Sequence, residues 1–332
     1  MWRPAIRGAM GRLQASKKYI LSNDLTPNRP LAQVIPAQEA IKNIAPGLLL
    51  AAAGSIAFSG KAIIVKLAYR YGVDAVTLIM LRMLFALPIF AAMAWWASRG
   101  KPPLTRKDWA GVVGLGFSGY YLASFLDFAG LAYISASLER LILYLNPTLV
   151  MLLGLVLYQR RVKAVQVIGM AISYGGVALV FGHEITLLGA NAAWGALLVF
   201  LSAVSYAVYL VYSGELVKRL GALRLVGLAT TVACLLCLLQ FVVLRPLSAA
   251  VVAPEVIWLS VLNATACTAV PVLLVMMAIE RLGPSLVAQP GMIGPMSTIL
   301  MGVLILGEPF TAWVAAGSVL VIAGIFVFTR SR

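Results

Sequence analysis

The sequence is poor in the side chains on which metal centres and hydrolytic enzymes depend. His183 is the single histidine, which excludes a histidine-rich metal site and a Ser-His-Asp triad. Cys234 and Cys237 have the two-residue spacing of a metal or redox pair, but no second pair and no nearby histidine completes such a site. We therefore predict that these cysteines and Cys267 fill space between helices, and that the protein uses no metal and no cofactor. A phosphate-binding loop followed by lysine is also missing, so the chain contains no ATPase of that type.

Charged residues are scarce as well, at 11% of 332 residues, whereas 62% are hydrophobic and the mean hydropathy is +0.96. A soluble domain of this size cannot bury so much apolar surface, so the bilayer is the expected solvent. The net charge of +15 could suggest a nucleic-acid partner in a soluble protein. Here the basic residues lie almost entirely between apolar segments, which favours a membrane topology and no nucleic-acid binding.

Apolar stretches of about 20 residues, the length that crosses a bilayer, occur ten times. They cover residues 46–70, 75–98, 108–132, 135–157, 163–182, 191–215, 224–245, 256–281, 284–306 and 310–329. The sequence therefore predicts an all-α integral membrane protein with ten transmembrane helices.

The basic residues between these stretches are divided very unequally when the connections alternate sides. With the first connection placed outside, one side of the membrane collects twenty lysines and arginines and the other keeps only Arg70 and Arg245. The basic side is expected to be cytoplasmic, which places both termini in the cytoplasm. Residues 1–45 are basic and interrupted by Pro30 and Pro36, so they are predicted to be a cytoplasmic extension, either disordered or partly helical over residues 31–43.

The chain also repeats itself. Residues 131–181 and 279–329 align without a gap at a constant offset of 148 residues. The aligned pairs include Ser137 with Ser285, Pro147 with Pro295, Gly169 with Gly317, and Gly176 with Gly324. If residues 46–182 and 191–329 each cross the membrane five times, an odd number, the second copy is inverted relative to the first. Inverted repeats place a small-solute site between them near the membrane midplane.

Six ionisable residues fall inside the predicted spans of the first repeat, where hydrocarbon disfavours charge. They are Lys61, Lys66, Arg82, Asp127, Glu139 and Arg140. Lys66 is close enough to a span end to extend its amine to the interface. Helical phase places Tyr120 and Asp127 on one face of span three and Arg140 and Tyr144 on one face of span four, with Glu139 directed away. These faces either line an aqueous cavity or form a buried salt bridge between Asp127 and a basic partner, Arg82 or Arg140. Four basic and two acidic residues would favour a carboxylate ligand.

The second repeat offers uncharged polar residues at corresponding depth. Tyr206 and Tyr209 share a helix face and could form an aromatic wall with hydroxyl groups, and Gln289 is a further lining candidate. Prolines mark points where a transmembrane helix can break, and breaks at matching places in two halves are typical of a transport site. They are Pro147, Pro271, Pro290 and Pro295.

Two matching segments resemble a known family. The first runs from Ala132 to Tyr158, and the second runs from Pro284 to Pro309 and contains Leu306, Gly307 and Glu308. Over residues 47–329 the chain resembles the duplicated EamA domain of the drug/metabolite transporter superfamily. The second copy keeps the Leu-Gly-Glu ending of that domain, whereas the first has Gln159 and Arg160 there. The resemblance implies a ten-helix carrier of amino acids, metabolites or drugs, commonly an exporter in a bacterial inner membrane.

We therefore predict a secondary transporter of an amino acid or related carboxylate that works by alternating access and contacts membrane lipids. Asp127 and Arg140 are the first candidates for its polar centre. Lys61, Arg82, Tyr120, Tyr144, Tyr206, Tyr209 and Gln289 are the further lining candidates. A proton-coupled drug exporter that uses Asp127 is the alternative within transport. A membrane-embedded enzyme or a receptor is disfavoured, because no nucleophile lies beside a base and no signalling domain is present.

Overall fold

The computed structural model describes residues 37–158, 163–282 and 293–330, and regular structure within these ranges is entirely helical. Contacts divide the chain into residues 1–43 and 44–332, and the second unit carries everything discussed below. The described helices, of which the first begins before residue 44, are α1 (Ala37–Tyr69), α2 (Ala75–Ser98), α3 (Arg106–Leu115), α4 (Ala123–Leu131), α5 (Ala136–Leu143), α6 (Asn146–Tyr158), α7 (Ala164–Leu188), α8 (Ala190–Leu220), α9 (Ala222–Leu244), α10 (Pro254–Ala264), α11 (Val270–Leu282), α12 (Ile293–Met301) and α13 (Ala312–Arg330).

Among the described residues, eight helical stretches are long and apolar enough to cross a membrane. They are Ala45–Tyr69, Ala75–Ser98, Arg106–Leu131, Ala136–Leu157, Ala164–Thr186, Asn191–Gly214, Ala222–Leu244 and Pro254–Val275. The described parts of the last two predicted spans, Ile293–Leu306 and Ala312–Phe328, are shorter apolar helices. Helix α1 begins at Ala37, earlier than the apolar stretch, because hydropathy marks the segment suited to the bilayer and does not mark where a helix begins.

Short connections and side-chain caps set the ends of these helices. Asp74 caps α2 by accepting hydrogen bonds from the backbone N–H groups of Val76 and Thr77 at 3.0 and 3.3 Å. Partial burial raises the pKa of Asp74, but hydrogen bonds from Thr77 and the nearby Arg245 outweigh it and hold that pKa below its ordinary value. A single residue, Gly189 with φ 72°, joins α7 to α8, a conformation that glycine adopts without strain.

Helices α7 and α13 make a close contact through small residues. A Cβ atom on Gly169 would lie 2.7 Å from the carbonyl oxygen of Gly324, and one on Gly176 would lie 2.7 Å from that of Gly317. Between these contacts Ser173 donates a hydrogen bond to the carbonyl oxygen of Val321. As α7 is followed toward its carboxyl end, the contacts move toward the amino end of α13, so the two helices are antiparallel. Glycine at these positions lets their backbones approach each other directly.

Three helices contain or end in wide π-helical turns, which proteins often place near functional sites. These turns are Gly116–Leu122 between α3 and α4, Thr265–Ala269 between α10 and α11, and Gly302–Leu306 after α12. The first two fall at matching places in the two repeats at the offset of 148 residues. In the turn Thr265–Ala269, the hydroxyl of Thr268 donates a hydrogen bond to the carbonyl oxygen of Asn263 at 2.8 Å. This bond satisfies a backbone acceptor just before the widened turn.

Three of the prolines singled out in the sequence lie near the first residues of the helices that contain them, whereas Pro46 and Pro88 lie inside α1 and α2. Pro147 is the second residue of α6, Pro271 is the second residue of α11, and Pro295 is the third residue of α12. The missing N–H of proline costs little in a first turn, where that group has no partner within the helix. The predicted break in span four is therefore the junction between α5 and α6, at Tyr144 and Leu145. Pro290 lies outside the described residues.

Candidate functional site

Four ionisable side chains from three helices meet inside the protein, and we call them the charged cluster. The ammonium group of Lys61 on α1 lies 2.5 Å from a carboxylate oxygen of Asp127 on α4 and 3.5 Å from one of Glu139 on α5. The guanidinium of Arg140 lies 3.8 Å from the other Glu139 oxygen. The cluster therefore alternates basic and acidic groups across α1, α4 and α5.

The charged cluster is buried but not saturated with hydrogen bonds. The side chains of Glu139 and Asp127 are 0% and 3% exposed, and those of Lys61 and Arg140 are 17% and 15% exposed. Within the described ranges, one Asp127 oxygen, both Glu139 oxygens, and Nε and Nη2 of Arg140 have no hydrogen-bond partner. Buried polar groups are normally satisfied, because an unpaired one costs about 1–3 kcal/mol. The cluster thus holds both donors and acceptors to which a ligand could bind.

Arg82 lies beside the charged cluster on α2. Its Nε and Nη2 atoms donate to the hydroxyl of Thr268 at 3.2 and 3.1 Å, in the π-helical turn between α10 and α11. Its guanidinium carbon lies 5.2 Å from the ring centroid of Phe128, the neighbour of Asp127. Nη1 of Arg82 is buried without an acceptor among the described residues. Arg82 therefore joins a π-helical turn of the second repeat to the charged helices of the first.

The structure corrects two sequence expectations about these charges. Asp127 pairs with Lys61, which phase analysis did not select as its partner, and Arg82 bonds to Thr268. Glu139, predicted to point away, belongs to the charged cluster. The reason is that residues 136–139 of α5 are all buried, so a side chain directed away from one neighbouring helix meets another.

Three of the predicted lining tyrosines form a second group, the tyrosine cluster. The Tyr120 and Tyr209 rings meet edge to face with centroids 5.1 Å apart and hydroxyl groups 3.2 Å apart. The Tyr206 ring stacks on Tyr209 at 5.4 Å. Apolar residues including Val112 and Leu225 pack around them, so this cluster is a packed aromatic core between α3, α8 and α9.

The two remaining lining candidates lie elsewhere. Tyr144 packs against the apolar cluster that contains Ile134 and Leu138. Gln289 lies outside the described residues. The predicted lining residues thus divide between the charged cluster, the neighbouring Arg82, the tyrosine cluster and separate positions.

A cavity of about 510 Å³ opens at the amino end of α5, and we call it the Glu308 pocket. Glu308, which follows the π-helical turn after α12, accepts hydrogen bonds from the backbone N–H of Ala136 at 2.7 Å and from the hydroxyl of Ser137 at 2.8 Å. Glu184 on α7 accepts hydrogen bonds from the backbone N–H and the hydroxyl of Ser135. Two carboxylates thus stabilise the positive amino end of one short helix.

Lys66 also lines this pocket and donates hydrogen bonds to the carbonyl oxygens of Leu131 and Ile134 at 3.3 and 2.9 Å. Sequence reasoning did not select Glu184 or Glu308 as functional residues. The Leu-Gly-Glu ending was the available signal for Glu308. Its partner Ser137 lies 171 residues earlier in the sequence, so the contact could not be predicted from local pattern.

Helix α5 connects the two regions physically. Its first residues bind the carboxylates of the Glu308 pocket, and Glu139 and Arg140 follow within one turn and belong to the charged cluster. A displacement of α5 would therefore change the pocket and the charged cluster together.

Comparisons with known proteins identify the family of the chain. The model of a family described as the EamA-like transporter family matches residues 45–182 and 193–330. The uncharacterized transporter YcbK of Bacillus subtilis (strain 168) is 30% identical over 285 residues, which cover 82% of this chain and 88% of YcbK. An uncharacterized transporter of Archaeoglobus fulgidus is 22% identical over 286 residues, which cover 86% of this chain and 97% of the relative.

A protein of known crystal structure shares the fold, with a TM-score of 0.57 and 20% identity over 86% of this chain and 99% of its own. Membership of a transporter family implies a small-molecule substrate and a lipid environment. Since the family model matches both halves of a chain with eight candidate membrane spans, this multi-pass membrane protein belongs to the EamA-like transporter family.

Proposed function

We propose that the protein is a secondary carrier that exports an amino acid or related carboxylate across a bacterial inner membrane by alternating access. The observation that carries this proposal is the set of unpaired hydrogen-bond donors of Arg140 and Arg82 beside buried acidic groups. Lys61, Arg82 and Arg140 oppose Asp127 and Glu139, so the region has a net charge of +1 when all five are ionised. A positive, poorly hydrated site favours an anionic group.

The proposed mechanism uses two inverted halves of five transmembrane helices each. The glycine contacts between α7 and α13 support it. At the offset of 148, Gly169 corresponds to Gly317 and Gly176 to Gly324. The contact of Gly169 with Gly324 is therefore the repeat-related counterpart of the contact of Gly317 with Gly176. Contacts that exchange in this way between antiparallel helices are those expected around a twofold axis lying in the membrane plane. The matching π-helical turns support the same relation.

The proposed orientation follows from the basic residues. Twenty lysines and arginines fall on one side of the ten-span arrangement and two on the other, so we place both termini in the cytoplasm. The Glu308 pocket then lies on the outer side, since its lining residues Arg70, Tyr133 and Pro309 belong to outer connections. The charged cluster lies deeper, between this pocket and the middle of the bilayer.

Binding to the purified protein tests the substrate class. We expect thermal stabilisation by amino acids and other carboxylates but not by their amides or esters, because neutralisation removes the charge that Arg140 recognises. Arg140→Gln should weaken binding of the acid by at least about tenfold, the equivalent of one charge-assisted hydrogen bond. Arg245→Gln, which removes an exposed arginine, is the matched control.

Equal stabilisation by the acid and its amide, unaffected by Arg140→Gln, would contradict the carboxylate proposal. That result would favour the alternative of a drug exporter whose ligand contacts the aromatic residues. Counterflow of a radiolabelled amino acid in proteoliposomes then tests transport itself, and absence of exchange by a ligand that binds would contradict the carrier mechanism.

A further inference from the structure

We propose that Glu139 is the residue at which a coupling proton and the ammonium group of the substrate compete, so that transport exchanges one proton for one amino acid. This inference rests on the proposed function, because it assumes that the carboxylate group of the substrate binds Arg140. The sequence alone suggested Asp127 for proton coupling, whereas we assign this role to Glu139.

The charged cluster is complementary in charge to a zwitterion. Glu139 and Arg140 are adjacent in sequence, and their charged groups approach to 3.8 Å. An amino acid carries the opposite pair of charges, an ammonium and a carboxylate on the same carbon atom. Both Glu139 oxygens and two Arg140 nitrogens lack hydrogen-bond partners in the described ranges, so both halves of the zwitterion find an acceptor or a donor.

Glu139 and Asp127 differ in their distance from the ammonium group of Lys61. Lys61 lies 2.5 Å from Asp127 but 3.5 Å from Glu139, so its charge and its hydrogen bond are directed to Asp127. Glu139 has two basic neighbours, Lys61 and Arg140, but at the longer distances of 3.5 and 3.8 Å, and it is completely buried. The charge of Glu139 therefore depends more strongly on what else occupies the cluster.

A coupling proton would reside between the two carboxyl groups of the charged cluster. Asp127 and Glu139 both approach the ammonium group of Lys61, at 2.5 and 3.5 Å, so their carboxyl groups are near neighbours, and a hydrogen bond between them requires one proton. A protonated Glu139 can donate that proton to the Asp127 oxygen that otherwise lacks a partner. The cluster thus provides a hydrogen-bonded state for the proton and, after the proton leaves, an acceptor for the substrate.

The other carboxylates near α5 in the described ranges each have a partner already, and only one Asp127 oxygen is left without one. Asp127 on α4 is bound to Lys61 of α1, and the carboxylates of Glu184 and Glu308 are bound to the amino end of α5. His183 on α7 stacks on Trp313 of α13. The hydroxyl of Tyr174 on α7 accepts a hydrogen bond from the hydroxyl of Thr148 at 3.4 Å. Helix α12, which also packs against α5, carries no ionisable side chain.

The balance of the exchange follows directly. Ionised Glu139 accepts the ammonium of a neutral zwitterion, and the charge of the cluster does not change. When the substrate leaves outside, a proton binds Glu139, and the protonated carboxyl no longer accepts the ammonium. The proton leaves to the cytoplasm when the site opens there, and the next substrate binds. One positive charge moves inward per amino acid exported, so the membrane potential also drives export.

The test compares Glu139→Gln and Glu139→Asp with wild-type protein in proteoliposomes, using amino acids as probes. Glu255→Gln, which removes an exposed carboxylate at the start of α10, is the control. In the wild type, we expect a pH gradient to drive accumulation and the Kd for the amino acid to rise about tenfold per pH unit below the protonation midpoint of Glu139, as competition with one proton requires. Glu139→Gln should abolish gradient-driven accumulation and the pH dependence of Kd but retain exchange of one amino acid for another. Glu139→Asp should retain both properties.

A second measurement needs no variant and therefore does not depend on its folding. At a pH below that midpoint, wild-type protein in a weakly buffered solution should release about one proton when an amino acid binds, and release none when the analogue without the amino group binds. Absence of release, or unchanged gradient-driven transport by folded Glu139→Gln, would overturn the role of Glu139. Failure of wild-type protein to bind any amino acid or carboxylate would instead overturn the proposed function.

Discussion

The two repeats share a framework and differ in their chemistry. At the offset of 148 residues both contain a π-helical turn at a matching place, and both contribute glycines to the contact between α7 and α13. At the positions of the buried charges, however, the second repeat has no ionisable acid or base: Lys61 corresponds to Tyr209, Arg82 to Thr230, Asp127 to Val275, Glu139 to Val287 and Arg140 to Ala288. Symmetry is kept where helices pack, and the buried charges are confined to one half.

A second difference separates the two ends of the proposed transport path. Glu308 accepts hydrogen bonds at the amino end of α5, beside Ser137. The counterparts of this pair are Arg160 and Ser285, and an arginine cannot accept a hydrogen bond from a helix amino end. At the position that corresponds to Glu308 the first repeat therefore has no carboxylate. We expect Glu308 to stabilise a closed state of the proposed outer side.

The largest expected effect is the loss of Lys61. Lys61→Met leaves Asp127 and Glu139 without the ammonium group between them, and breaking a buried ion pair costs about 3–5 kcal/mol. The free energy of unfolding in detergent should fall by that amount. The double variant with Asp127→Asn should recover at least half of the loss, since it removes one of the two carboxylates.

Tyr209→Phe changes the corresponding position of the second repeat and serves as the comparison. It removes one hydroxyl contact with Tyr120 and should cost at most about 1 kcal/mol. Equal losses for the two variants would show that the charged cluster is not the asymmetric centre described above.

Glu308→Gln should have the next largest effect. The amide keeps one acceptor oxygen but loses the charge that faces the amino end of α5, a loss of about 1.5–3 kcal/mol. We expect the outer side to open more often. A reporter cysteine at Ile134, which lines the Glu308 pocket and is 0% exposed, measures this in a background without Cys234, Cys237 and Cys267.

Labelling of that reporter by a membrane-impermeant maleimide should become about tenfold faster in Glu308→Gln, as a shift of about 1.4 kcal/mol toward the open state implies. Glu255→Gln removes an exposed carboxylate outside the pocket and should not change the labelling rate. Identical rates in the two variants would exclude Glu308 as a stabiliser of the closed outer side.

The sequence predicted the membrane character, the family and the positions of the eight candidate spans among the described residues, because hydropathy and internal repetition depend on local composition. The arrangement of ten spans stays a prediction. Helix α2 begins and ends at the predicted residues 75 and 98. The π-helical turns were not predicted, since they accompany tertiary contacts such as that of Gly119 with the Tyr209 ring. The pairing of Asp127 with Lys61 was missed for a related reason. Helical phase gives the direction of a side chain on its own helix, but not which neighbouring helix supplies the partner.

The smallest of the three effects tests the shared framework. Gly176→Val would place side-chain atoms against the carbonyl oxygen of Gly317 and the Cβ of Leu320, which a Cβ on Gly176 would already approach to 2.7 and 2.9 Å. Overpacking of a tight contact costs about 1–3 kcal/mol, and here the backbone of α13 would have to move away. The expected result is a lower melting temperature in detergent and slower exchange, with the Kd for the substrate unchanged because the charged cluster is distant in sequence and lies on other helices.

Gly175→Val is a closely matched control for this substitution. It adds the same side chain to the adjacent residue of α7, where a Cβ would meet no atom within 4 Å and the position is exposed. The change in helix propensity is therefore the same for both variants, and the difference between their free energies of unfolding isolates the contact with α13. Equal stability of the two variants would mean that this glycine contact does not hold the repeats together, and the twofold relation between them would lose its structural support.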